Sequence, residues 1–156
     1  MIPLNYTSKK TILPPACGRP KILIWQAHAA TIRTLVVLLV LVGTPVIDPV
    51  THTIYFVARI TNRTNYVQYL HSVNIISGNE MPGSPVKITA TYSGGGTGSI
   101  NNNITFNPQI QNQRQALTLV KGIVYVSFSS HCDWGAYHGW ILGYNAATLR
   151  QQIVYI

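Results

Sequence analysis

The sequence predicts an all-β fold of antiparallel units, and three observations carry that expectation. Tyr, Trp, Val, Ile and Thr are abundant and 12 Gly and 9 Pro supply turns, while runs of strong helix formers are scarce. Only 9% of the residues are charged, against about 25% in an average soluble protein, and Asn, Gln, Ser and Thr take the place of charge. The third observation is a repeat. The stretch from Lys121 to Ile153, KGIVYVSFSSHCDWGAYHGWILGYNAATLRQQI, reads as strand, polar loop, strand, tight turn and outer strand, and an earlier copy of that unit lies upstream. Repeated twice in order, this is the pattern of antiparallel blades of a β-propeller, about two of them.

The first 43 residues differ from the rest. Met1 to Pro20 is basic and Pro-rich without an apolar period and reads as a disordered leader. The apolar run from Leu35 to Val42, LVVLLVLV, leaves three readings open. It is short for a membrane span, since about 20 residues are needed and Gln26, His28 and Arg33 interrupt it. It fits the apolar core of a signal peptide, although no small-residue cleavage site follows. It also fits a start lying upstream of the true domain. Any membrane contact would run only through Leu35 to Val42, and residues 44–156 are expected to hold the two blades.

The regular part opens at TPVIDP, where Pro45 and Pro49 limit Val46 and Ile47 to a short edge strand. Residues 53–60, TIYFVARI, are a β-branched and aromatic strand. A polar loop at 61–65 leads to its partner at 66–76, YVQYLHSVNII. Ser77-Gly78-Asn79 forms a turn, and a further strand begins near Pro85. Residues 92–115, with Gly94, Gly95, Gly96 and Gly98, read as a surface loop between the two units. They lack the Gly-Lys-Ser/Thr and following helix of a phosphate-binding loop. The second unit starts at 116–120 and continues through 123–128 and 140–144 to an outer strand near 152–155. Laying Tyr55 on Tyr125 brings, across a one-residue difference, Tyr69 onto Trp140 and Asn74 onto Asn145.

The patterns PVIDPVTHTIYFVA, YLHSVNIISGNE and YHGWILGYNAATL resemble the repeats of quinoprotein-like (PQQ-like) β-propellers, over about residues 44–156. The resemblance implies a propeller scaffold in an extracytoplasmic protein. Asn74 and Asn145 stand where the family's turn has Asp. The blade-docking Trp after each turn and the vicinal cysteine pair of the enzymatic members are missing. Asp48, Glu80 and Asp133 are the only acids in the chain, so a PQQ–calcium site cannot be assembled from it alone. PQQ and calcium are expected only if a parent protein is a true quinoprotein. Because such rings close with roughly four to eight blades, about two blades imply a fragment whose partners are the remaining blades or, alternatively, self-assembly. The function expected is a non-catalytic binding or structural scaffold. The alternative is a piece of a quinone-dependent oxidoreductase with its cofactor site on other blades.

Charge excludes one common function. The net charge of +8 comes largely from Lys9, Lys10, Arg19, Lys21 and Arg33. The basic residues after position 43 are scattered, without the clustered stripe that tracks phosphates, so nucleic acid is not an expected partner.

Candidate site residues concentrate in one loop. His131, Cys132, Asp133 and His138 carry metal-compatible side chains but match no metal spacing, and loop architecture explains them equally. Trp134 and Tyr137, with Trp140, could stack on a planar ligand or fill the space between sheets. A Cys132–His138 pair oriented by Asp133 can be written down, although nothing marks Cys132 as an activated nucleophile. Cys17 and Cys132 permit one disulfide without requiring it. Asn5, Asn62 and Asn103 head glycosylation triplets, the last two in expected loops.

Overall fold

The computed structural model describes residues 38–61 and 65–156. All regular structure among them is strand, so the all-β, antiparallel expectation holds. One sheet contains β1 (Leu38–Val40), β2 (Val46–Asp48), β3 (Thr53–Thr61), β4 (Tyr66–Asn74) and β5 (Val86–Lys87). The connection carries a hairpin of β6 (Thr91–Ser93) and β7 (Asn103–Thr105). The second sheet contains β8 (Gln111–Asn112), β9 (Thr118–Val120), β10 (Ile123–Ser130), β11 (Trp140–Asn145) and β12 (Gln151–Tyr155).

The two sheets share one plan. Each has a long β-branched and aromatic strand, β3 or β10, paired to the next, β4 or β11, and then to an outer strand. On the other side each long strand pairs with an edge broken into two pieces. β2 sets Val46 opposite Tyr55 while β1 sets Val40 opposite Arg59. In the same way β9 sets Thr118 opposite Tyr125 and β8 sets Asn112 opposite Ser129. Across the central pairs Tyr55 faces Ser72 and Tyr125 faces Gly143, so the two tyrosines hold equivalent places.

The turns repeat in detail. The amide of Gly78 donates to the Asn74 carbonyl, and that of Leu149 to the Asn145 carbonyl, each at 2.8 Å. The Asn74 side-chain oxygen accepts from the amides of Ile76 and Ser77. That of Asn145 accepts from the amides of Ala147 and Thr148. These are Asx-type caps, which Asn supplies as well as Asp does. Gly78 and Leu149 both sit at positive φ, 72° and 54°, so the geometry is kept even where the residue is a leucine.

Burial separates the sheets. Opposed residues in neighbouring strands share a face. The first sheet buries the face of Tyr55, Val57, Leu70 and Ser72. The second buries the face of Val124, Val126, Phe128, Trp140, Leu142 and Tyr144, and these side chains form one core with Tyr55, Val57 and Leu70. By register the second set is equivalent to Ile54, Phe56, Ala58, Tyr69, His71 and Val73 of the first sheet, not to Tyr55 and its neighbours. Unlike faces therefore meet. The sheets stack head to tail, and the Tyr55 hydroxyl crosses between them to donate to the Ala146 carbonyl at 3.0 Å.

Two expectations change. The connection expected to be a surface loop instead carries β6 and β7 and drives Ile104 and Phe106 into the core. Phe106 meets Phe128 and Trp140 edge-on, at 4.8 and 5.7 Å between ring centroids. Its glycines and asparagines mask an alternation of Ile104 and Phe106 too short to read by itself. The run from Leu35 to Val42 contributes β1 to the first sheet, and no helix among the described residues is long and apolar enough to cross a membrane. Residues 35–37 of that run, with the rest of residues 1–34 including the Pro-rich leader, and residues 62–64 lie outside the described residues.

Candidate functional site

The loop joining β10 to β11 begins as a tight turn set by Ser130. Its hydroxyl donates to Asp133 Oδ1 at 2.6 Å and accepts from the Asp133 amide at 3.1 Å. Cys132 and Asp133 both take positive φ, 62° and 51°, and Gly135 follows at 73°, which turns the chain sharply. The amide of His131 donates to the Ile110 carbonyl, fixing the loop's root to the segment before β8.

The tip rests on the β6–β7 connection. His138 Nε2 lies 2.9 Å from the Thr97 carbonyl. Gly98, at φ 79°, approaches Ala136 so closely that an added Cβ would lie 2.6 Å from the alanine Cβ. Glycine is required there both by φ and by space. The two loops form one platform, beside which an open depression of about 400 Å³ is lined by Gly98, Ile100, Asn103, Thr105, Phe106, Asn107 and Pro108. Trp134 and Tyr137 stand on the platform exposed to 58% and 42%, whereas Trp140 is buried in the core at the start of β11.

The loop does not gather its histidines, cysteine and aspartate into a metal set. Among the described residues no three His, Cys, Asp or Glu side chains come together in that way. Asp133 is engaged by Ser130, and His138 by the Thr97 carbonyl. Cys132 is disulfide-bonded, which removes the thiolate that a Cys132–His138 dyad would need. Cys17 lies outside the described residues. Of the glycosylation triplets, Asn103 heads β7 instead of lying in a loop; it is exposed, and its side-chain amide donates to the Asn101 carbonyl.

A second polar group, running from β4 into the irregular segment after it and matching no spacing rule, is His71, Glu80 and Ser84. His71 Nδ1 lies 2.6 Å from Glu80 Oε1, and the Ser84 hydroxyl donates to Glu80 Oε2. The order of bonds is serine to carboxylate to histidine. A nucleophilic serine must instead touch the imidazole that takes its proton. Ser84 also accepts from the Ser72 amide at 2.8 Å, so the group fastens the irregular outer edge of the first sheet. The His71 ring stacks on Phe56 at 4.8 Å between centroids.

At the opposite end of the strands, Arg59 donates to the Gln109 carbonyl at 2.8 Å and lies over the Tyr66 ring. Burial holds its guanidinium below the usual arginine range, yet arginine stays charged at any ordinary pH. Gln68 donates to the Gln111 carbonyl at 2.8 Å. The adjoining cavity, about 10 Å³, has room for one water at most.

No protein-family model matches the chain, and searches of curated proteins and of solved structures found no match.

Proposed function

We propose that this chain is a non-catalytic β-propeller segment that acts as a binding or structural scaffold in an extracytoplasmic protein. The observation that carries the reading is the head-to-tail stacking of two sheets with the same register and turn caps. A sandwich related by a twofold axis packs like faces together, whereas serial blades pack the front of one against the back of the next. The disulfide at Cys132 fits an oxidising compartment. The ligand face is the platform carrying Trp134 and Tyr137, whose exposed rings suit a planar or sugar-like partner. The remaining sheet faces are covered by further units of the same kind.

Screening the full chain against a glycan array, with Trp134→Ala and Tyr137→Ala alongside, tests the binding role. Signal lost in both variants with unchanged circular dichroism supports it. Binding untouched by both substitutions removes the platform. Incubation with PQQ and calcium tests the catalytic alternative. Quinone absorbance that stays with the protein through gel filtration would transfer the chain to the quinone-dependent oxidoreductases.

A further inference from the structure

The two sheet faces turned away from the core are the two halves of the interface already inside the molecule. On the second sheet the outer face carries Tyr125, with Val120 at 46%, Ile141 at 41% and Tyr155 at 61% exposure. By register this face is equivalent to the one through which the first sheet packs: Tyr125 corresponds to Tyr55, and Ile141 to the fully buried Leu70. On the first sheet the outer face carries Ile47, 50% exposed, with Ile54, Phe56 and Tyr69. It is equivalent to the second sheet's packed face, where Leu119 occupies the place of Ile47 and Trp140 that of Tyr69.

We propose that a second copy of this chain occupies these faces, the outer face of one copy's second sheet seating on the outer face of the next copy's first sheet. The inference rests on the scaffold reading above and identifies its partner. It continues the interface that already joins the two sheets within one chain. Tyr55 donates to the carbonyl of Ala146, the residue after the Asn145 cap. The equivalent donor at the new interface is Tyr125, and the equivalent acceptor is the carbonyl of Ile75, after the Asn74 cap and 47% exposed. Such an interface is heterologous, so it propagates until rotation closes it. About two to four chains would supply the roughly four to eight sheets at which such rings close.

Light scattering on the full chain, with substitutions on each face, tests this. Wild type is expected at a discrete multiple of the chain mass. Ile141→Lys and Ile47→Lys are each expected to be monomeric with unchanged circular dichroism. Mixing the two should restore a one-to-one dimer, because each variant keeps the face the other has lost. Tyr125→Phe, which leaves the apolar surface intact, should weaken association by about fivefold, the worth of one neutral hydrogen bond. A monomeric wild type at high concentration overturns the proposal, as does self-association of Ile47→Lys alone, which would mean that like faces meet. Hydrogen exchange separates this from the scaffold reading. A monomer with β3 and β10 both protected keeps the internal stack and loses only self-assembly; a monomer without that protection loses both.

Discussion

The first and second sheets have the same strands, register and capped turns, yet they fill equivalent places with different chemistry. Where the second sheet has Trp140, Leu142 and Tyr144 in the core, the first has Tyr69, His71 and Val73 on its outer side, with His71 tied to Glu80. Where the first sheet buries Leu70, the second exposes Ile141. Backbone plan and side-chain filling are thus separable. The plan comes from turn chemistry and strand pairing, and the filling follows from which face meets the neighbouring sheet. A position's energetic weight is set by its face and not by its place in the repeat.

The largest expected effect follows directly. Trp140→Ala should destabilise by about 3–5 kcal/mol, the range for truncating a buried aromatic. Its counterpart Tyr69→Ala should cost about 1 kcal/mol, typical of a partly exposed site, in urea unfolding below the assembly concentration. Equal costs would mean that the two faces carry the same energetic weight.

Tyr144 gives the next largest. Burial pushes its phenol up to about 12, only partly offset by the hydrogen bond from Gln151. A phenol raised in the folded state favours the neutral form. Its contribution is therefore complete below pH 10, the ordinary tyrosine value, and is lost as pH rises through about 12. Stability should fall by about 2–3 kcal/mol across that window. Unfolding titrations of wild type and Tyr144→Phe should diverge there. Parallel curves would place the Tyr144 hydroxyl in water.

At the turn caps, by contrast, the two units should agree. Asn74→Ala and Asn145→Ala should each cost about 1 kcal/mol, as for other caps formed by short polar side chains. The substitutions remove two amide acceptances in each turn. Thermal unfolding that separates them by more than about 1 kcal/mol would show that the shared geometry hides unequal turns. Tyr55→Phe should cost a comparable amount, about 0.5–1.5 kcal/mol for one lost hydrogen bond, whereas Tyr125→Phe in a monomeric background should be neutral.

Much of this architecture was legible in the sequence because it is local. The alternation in TIYFVARI gives β3, and aligning Tyr55 on Tyr125 brings the two caps into corresponding places. The edge strand at Val46 was readable from its flanking prolines. What stayed hidden depends on distance. The burial of Phe106 exists only because Phe128 and Trp140 arrive from the second sheet. The His71–Glu80–Ser84 fastening joins residues in β4 to the irregular segment that follows it. The candidate loop is a cluster in sequence, but Ser130 and Thr97, absent from that cluster, engage Asp133 and His138. Most consequential, alternation reveals that a strand has two faces without revealing which one meets the neighbouring sheet.

Nuclear Overhauser contacts from the Tyr55 ring distinguish a packing of unlike faces from a packing of like faces. With its hydroxyl 3.0 Å from the Ala146 carbonyl, the ring should show contacts to the 145–147 turn and none to the Tyr125 ring. Contacts between the Tyr55 and Tyr125 rings would mean that like faces are packed together and that the sheets do not stack head to tail.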